Sequence, residues 1–403
     1  MISIKEAWNK IQSLAQSLPM EIRPIAQAGG AVLAETVSAP VDLPPFDNSA
    51  MDGYALRAED TAGASDERPV VLQVSGEVAA GGWREQPVPS GHAVKIMTGA
   101  PLPSGADTVL MLEAGRLRDG VVEVREPLPP GQHVRRRGED IRRQAVLLKR
   151  GTRLKVQRLG LLAASGVAQV RVYRQPTVSV LATGSELVSA GSPLTPGKIY
   201  DSNRLVLRAL VERTGAICDD LGVAADDPSL IAARVRAGLH SDLLLISGGV
   251  SVGEHDHVKS VLRELGVETL FWRVAMKPGK PLLCGRVGNT WVFGLPGNPI
   301  SCVVGFLVFI EPLIRRLQGE EISGPVYRPA RLTRAVRKTD ERVHFLTARL
   351  VSSADGLWEV TPTEKQGSAM MQALAQANAF LVIPEDRMAM DAGELADVLP
   401  FDG

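Results

Sequence analysis

The chain has 403 residues, more than one ordinary hydrophobic core accommodates, so two to four domains are expected. Apolar residues make up 45% and charged residues 22%, a globular balance that excludes a largely disordered chain. Lysine plus arginine and aspartate plus glutamate number 45 each, so net charge offers no general attraction for nucleic acid; local placement must carry any electrostatic function.

Residues 1–20 read as an amphipathic helix, with Ile4, Trp8, Ile11 and Leu14 at helical spacing and Pro19 ending it. Scattered charges there replace the basic start and apolar run of a signal peptide. From about 40 to 140, short β-rich runs (70–74, 93–97, 108–112, 121–124) alternate with Gly/Pro turns and predict a small β domain, inserted in the chain. It carries a polar, turn-rich segment around Asp52, a turn at Thr98 after a strand, and the one dense basic cluster, 135–143, which includes Asp140. A solvated face and an anion-facing surface are both open for that cluster. A short helical pattern at 156–164 and a β-like run at 168–173 follow.

An apolar strand at 177–182 opens a different region. After it come a loop at 183–186, helix 202–214, a strand near 217–221, helix 228–239 and strand 243–246. A glycine-rich turn at 247–253, a helix near 257–265, strand 291–293, a Gly/Pro turn at 294–299 and an apolar helix at 300–317 complete it. Strands separated by helical patterns predict a parallel-sheet α/β domain with crossover helices. The apolar stretch 300–314 is too short to span a bilayer, and Glu311 and Pro312 interrupt it. Beyond about 325 the chain is β-rich again, giving a C-terminal β domain. Cys218, Cys284 and Cys302 lie far apart among apolar neighbours, which predicts buried free thiols rather than a disulfide framework or metal site.

In an open parallel sheet, ligands collect beyond the carboxyl ends of the strands, and three loops fall there. Gly248 and Gly249 let backbone N–H groups approach an anion before a helix N-terminus, although the spacing matches neither a P-loop nor a dinucleotide fingerprint. A structural turn remains equally open. Lys277 and Lys280 place two cations on a proline-bounded turn, whose plain alternative is a solvated basic loop. Pro296 and Pro299, with two glycines, stiffen the turn leading to Ser301, and ordinary helix capping is the competing reading. Glu186, Asp226 and Asp256 stand in the same class of position; hard carboxylate oxygens facing a phosphate imply Mg²⁺, and N-capping is the plain alternative. Asp227, just before Pro228, fits an N-cap and ranks below Asp226.

Nine segments in order, FDNSAMDGYA (46–55), KIMTGAPLPSGADTV (95–109), RRRGEDI (135–141), LATGSEL (181–187), GKIYDSN (197–203), ISGGVSVGEHD (246–256), MKPGKP (276–281), GLPGNPIS (294–301) and GSAMMQALAQANAF (367–380), resemble the MoeA family of molybdopterin molybdenumtransferases, to which gephyrin is related. The resemblance implies an N-terminal helix (1–20) packed on a molybdopterin-binding α/β domain (174–320), a connecting domain (21–46 and 140–173), the β insertion (47–139) and the C-terminal β domain (325–403). It implies a cytoplasmic homodimer and Mg²⁺-dependent insertion of molybdate into adenylylated molybdopterin, releasing AMP. A molybdopterin adenylyltransferase and downstream cofactor-handling proteins are the implied partners, with no nucleic acid and no membrane. Asp226 and Asp256 would sit around Mg²⁺ and the phosphoanhydride. Lys277, Lys280, Ser301 and Ser368 would bind molybdate. Glu186, Asp52, Thr98 and Asp140 would line the cleft, with Gly248, Gly249, Ser251, Arg273, Pro296 and Pro299 contacting substrate.

Two positions depart from the family pattern. Arg273 stands where lysine is common, and Thr347 where many members carry an arginine aimed at molybdate. Arg349, two residues on and on the same strand face, is the expected substitute. A scaffold role, as in gephyrin, and a hydrolase on the pterin-binding domain alone, as in competence-damage proteins, are the competing readings. The absence of a linker and of a fused adenylylating domain opposes the first, and the matched β segments oppose the second.

Overall fold

The computed structural model describes residues 1–250, 257–353 and 356–401. The chain forms two compact units, one of Met1–Glu21, Gly30–Ala34 and Val172–Gly403, the other of Ile22–Gly29 and Glu35–Arg171.

The first unit opens with helix α1 (Ile4–Leu14), started by a capping box in which Ser3 and Glu6 satisfy each other's backbone N–H. It is shorter than the helix expected over 1–20. Ala15 is already extended, and the Leu18 N–H donates to the Leu317 carbonyl instead of continuing the helix. Trp8 and Ile11 then enter the main core.

That core lies against a six-stranded sheet of β1 (Thr177–Thr183), β2 (Ile217–Ala224), β3 (Leu243–Ser247), β4 (Glu268–Trp272), β5 (Leu283–Val287) and β6 (Thr290–Leu295). Its order is β2-β1-β3-β6-β5-β4. The β2–β1, β1–β3 and β3–β6 pairs are parallel. Helices α2 (Asn203–Arg213), α3 (Pro228–Gly238) and α4 (His257–Glu264) connect them, and Asp227 caps α3 by accepting from the Ser229 and Leu230 N–H groups. Alternate β3 residues serve opposite cores: Leu243 and Leu245 face the cluster holding Trp8 and Phe293, Leu244 and Ile246 the one holding Val235 and Val258. A strand buried on both faces has no polar side to show, hence its unbroken apolar run.

Strands β4 and β5 both went unread in the sequence, and β5 is the one that breaks the parallel pattern. It pairs antiparallel with both neighbours, making the sheet mixed, and a two-residue turn beginning at Gly288 (φ 55°) joins it to β6. The apolar helix expected over 300–317 is also divided: Pro299–Gly305 and Glu311–Leu317 flank a wider π-type turn at Phe306–Ile310. Pro312 cannot donate to the carbonyl four residues back, and its ring crowds that turn.

The C-terminal sheet closes on itself, because Val343–Ser352 pairs with both Trp358–Pro362 and Ala379–Ile383. Arg328–Leu332 and Leu395–Pro400 complete the ring. A two-residue strand, Met276–Lys277, adds to its edge in parallel, with Lys277 opposite His344. That pairing ties the lysine loop of the α/β domain to the β barrel.

In the second unit, strands Thr108–Met111, Gly53–Leu56, His92–Ile96, Val70–Val78, Val121–Val124 and Arg116–Arg118 form one sheet in that order. Tyr54, Leu56, Leu72 and Val122 fill one of its cores. No helix among the described residues is long and apolar enough to cross a membrane.

Candidate functional site

The carboxyl ends of β1 and β3 open into a cavity of about 530 Å³. Its floor requires glycine: a Cβ on Gly248 (φ 95°) would lie 2.4 Å from the Thr183 carbonyl oxygen, and one on Gly249 (φ 65°) 2.3 Å from Val258. Asp226 is held at the rim by a reciprocal pair, its Oδ2 accepting from the Ser185 N–H at 2.8 Å while its own N–H donates to Ser185 Oγ at 2.9 Å. Glu186 folds over Gly184, whose missing Cβ leaves the room. Asn203 spans two of the loops, donating from Nδ2 to Ser247 Oγ at 2.9 Å and to the Gly297 carbonyl at 2.7 Å. Its Oδ1 is buried and, among the described residues, has no hydrogen-bond partner. Glu186, Asp201, Asp226, Gly248, Gly249 and Pro299 all line this cavity.

A second cavity, about 800 Å³, lies on the other side of the turn after β6, and Asn298 lines both. It collects Lys277, Lys280, Pro296, Ser301, Ser368 and Thr347. Helix Pro299–Gly305 starts here, and its Ile300 N–H is satisfied by the Ser368 carbonyl from the C-terminal segment rather than by a side-chain cap. Arg334, Arg337, Lys338, Arg342 and His344 add further basic groups to the lining. Lys338, 5% exposed, donates to the carbonyls of Arg342, Pro384 and Glu385, and burial lowers its pKa. The Asp340 carboxylate accepts from Arg342 Nε and Nη2, each at 2.8 Å, and its pKa falls far below the usual range, chiefly through Arg342 and then through His344. Burial holds the His344 imidazole below its ordinary value, against the opposing pull of Asp340.

Thr347, at the departing position, is 1% exposed. Its hydroxyl lies 2.6 Å from Thr363 Oγ1 and 3.1 Å from Gln366 Oε1, and Gln366 Nε2 returns a bond to the Thr347 carbonyl at 2.9 Å. Arg349 does not take over the arginine's place. It is exposed and absent from the cavity lining, where Arg334, Arg337 and Arg342 from the preceding segment stand instead. Alternation along a strand gives a shared face, but Thr347 is buried at the cavity while Arg349 is exposed outside it.

Arg273 is likewise outside both linings; in the left-handed region (φ 69°), its guanidinium stacks 4.0 Å over the Trp272 ring. Asp52, Thr98 and Asp140 belong to the other unit. There Asp52 Oδ1 accepts from Thr98 N at 2.6 Å and Oγ1 at 2.8 Å, bonds that lower its pKa, while the Asp140 N–H donates to the Leu43 carbonyl. The basic cluster is partly neutralised within that unit, Arg136 pairing with Asp47 at 2.8 Å and Arg137 with Asp42 at 2.6 Å. Ser251 and Asp256 lie outside the described residues. Sequence reasoning missed Asn203 as a brace and the whole 334–344 contribution. The first stood inside a recognised segment, but the second reads as an ordinary charged surface run.

Family models match the chain from end to end: the MoeA N-terminal region (domain I and II) at residues 2–166, a probable molybdopterin binding domain at 179–316, and the MoeA C-terminal region (domain IV) at 329–401. A molybdopterin molybdenumtransferase of Haemophilus influenzae is 38% identical, over 100% of this chain and 99% of its own. Molybdopterin molybdenumtransferase 2 of Mycobacterium tuberculosis is 39% identical over 98% of each chain. A crystal structure of a Pyrococcus horikoshii molybdopterin biosynthesis MoeA protein superposes with a TM-score of 0.84 at 36% identity, covering 100% of both chains. Matched in this way over its whole length, the chain belongs to the MoeA family of molybdopterin molybdenumtransferases.

Proposed function

We propose that this enzyme transfers molybdenum from molybdate to adenylylated molybdopterin, releasing AMP in a Mg²⁺-dependent step. Molybdenum insertion in cofactor biosynthesis follows from family membership; the adenylylated substrate, the ion and the residue roles are the proposal. One observation carries it: two cavities of opposite character share the wall at 296–301. Molybdate and a phosphoanhydride are both multiply charged anions and repel each other. Adjacent pockets allow each charge to be met separately before the reacting groups approach.

The cavity at the strand ends suits the pterin nucleotide. Gly248 and Gly249 permit close backbone approach, and the buried Asn203 carbonyl oxygen is an acceptor suited to a pterin N–H. Glu186 and Asp226 in its lining would repel an anhydride unless a cation lay between them, whereas Asp201 is already paired with Arg204 at 2.7 Å. Mg²⁺ suits such a site, since it takes one or two carboxylates and fills its shell with water and phosphate oxygens. Asp226 would hold it, with Asp256 as second ligand. The bound ion would neutralise charge developing on the anhydride. Lys277, Lys280 and the Ser301 and Ser368 hydroxyls would orient molybdate, so that positioning and charge neutralisation, without a protein nucleophile, drive the exchange.

A homodimer, a cytoplasmic location and substrate supply by a molybdopterin adenylyltransferase are proposed on the resemblance alone. The deciding experiment measures AMP release from adenylylated molybdopterin by the purified enzyme with Mg²⁺ across a molybdate titration. Release should saturate with molybdate and vanish with chelator, and Lys280→Ala should raise the molybdate requirement on the order of ten-fold. Tight pterin binding without AMP release would replace this reading with a binding or scaffold role.

A further inference from the structure

An anion stands behind the basic lining. Asp340 lies just before strand Val343–Ser352 and is not itself among the lining residues, but its partners Arg342, His344 and Lys277 all line the cavity, as does one carboxylate, Glu364. The five contacts to Asp340 differ in kind. Arg342 is held fork-on at 2.8 and 2.8 Å, with its N–H donating to Oδ1 at 3.1 Å. His344 Nε2 sits 3.1 Å from the same Oδ1. Lys277 Nζ is 3.6 Å from Oδ2, beyond hydrogen-bond reach, and its side chain is 46% exposed. Lys277 is thus the loosest partner of a carboxylate already satisfied by the other two, and its departure leaves Asp340 neither unpaired nor short of donors. Arg342, by contrast, spends Nε and Nη2 on Asp340 and brings the cavity no net charge of its own.

We infer that Asp340 is the internal counter-anion of the oxyanion cavity: it holds Arg342 permanently, parks Lys277 while no oxyanion is bound, and yields Lys277 to the incoming anion. The inference rests on Lys277 and Lys280 being the molybdate-binding cations. Asp340 is a positioning residue that lowers the charge of the cluster by one, so that the oxyanion is captured without being held too firmly for transfer. Arg342 in turn damps the grip of Asp340 on Lys277.

Removing either member of the pair therefore has opposite consequences. In Asp340→Asn, Lys277 and Arg342 both become available and oxyanion binding tightens, by roughly 3- to 10-fold for one unit charge near a dianion in a partly solvated cavity. In Arg342→Gln the uncompensated carboxylate holds Lys277 and repels the anion, so binding weakens by a similar factor. Titration calorimetry on the full-length chain, with sodium molybdate and sodium tungstate as probes, reads both, and thermal unfolding reports on integrity. Asp340→Ser serves if the Asn variant does not fold. A purely structural ion pair would make both variants bind more weakly, and that result, or no change in either, overturns the inference. Failure of the wild-type chain to bind either oxyanion overturns the reading of the cavity itself, and this inference with it.

Discussion

At the scale of single residues, the cavity floor is set by atoms that are not there. Gly248→Ala would force a Cβ to 2.4 Å from a backbone oxygen at φ 95°, combining a clash that cannot be relieved by side-chain motion with a conformation L residues avoid. In the urea transition of the unit that holds it, a loss of about 2–4 kcal/mol is expected. Gly297→Ala is the internal control: a Cβ there meets nothing within 4 Å, so its stability should change by less than about 1 kcal/mol. The glycine-rich turn was readable in the sequence as a strand-to-helix turn, whereas the Thr347–Thr363–Gln366 knot was not. Its three members come together only when Val343–Ser352 pairs with Trp358–Pro362 and the chain beyond turns back.

At the scale of elements, one carboxylate pins the start of the α/β sheet. Asp242 accepts both guanidinium arms of Arg174, at 2.9 and 2.7 Å, and the N–H and hydroxyl of Thr177, joining the beginnings of β1 and β3. Burial alone would push its pKa up; the Arg174 fork and the Thr177 donors outweigh burial and hold it below the ordinary 3.8. A depressed native pKa means that the stabilisation is complete above the unfolded value and is lost as pH falls toward the native one. Asp242→Asn should therefore lower stability by about 2 kcal/mol at pH 7, and the difference from wild type should shrink as the pH drops below about 4. Thermal melts at pH 7, 5 and 3 check both the size and the sign. A difference that grew on acidification would contradict this account. The pattern Asp242–Leu–Leu–Leu–Ile246 announced a buried strand, but nothing in it announced Arg174 as partner, 68 residues away.

At the scale of the whole molecule, the two units each carry their own hydrophobic clusters. Separate cores unfold with separate free energies, so the chain is not expected to be two-state. Trp8 and Trp291 are buried in the first unit, while Trp83 of the second is 73% exposed and a poor reporter. Guanidinium unfolding followed by tryptophan fluorescence should thus track the first unit, and far-ultraviolet circular dichroism both units. Non-coincident curves are expected, and superimposable ones would show that the units unfold together.

Length, periodicity and punctuation were enough, without coordinates, to read the α/β domain, the β-rich regions to either side and the segments that carry the family resemblance. These signals are local: an apolar run buried on both faces, a proline after a strand or a glycine where a Cβ cannot fit leaves its mark within a few residues. The tertiary structure alone decided which charges meet. It drew Lys277 onto the edge of the C-terminal barrel, set Asp340 and Arg342 beside it, left Arg349 facing solvent and stacked Arg273 on Trp272. Each of these depends on pairing between segments distant in the chain, and a charged side chain in the sequence carries no record of the partner that folding will bring to it.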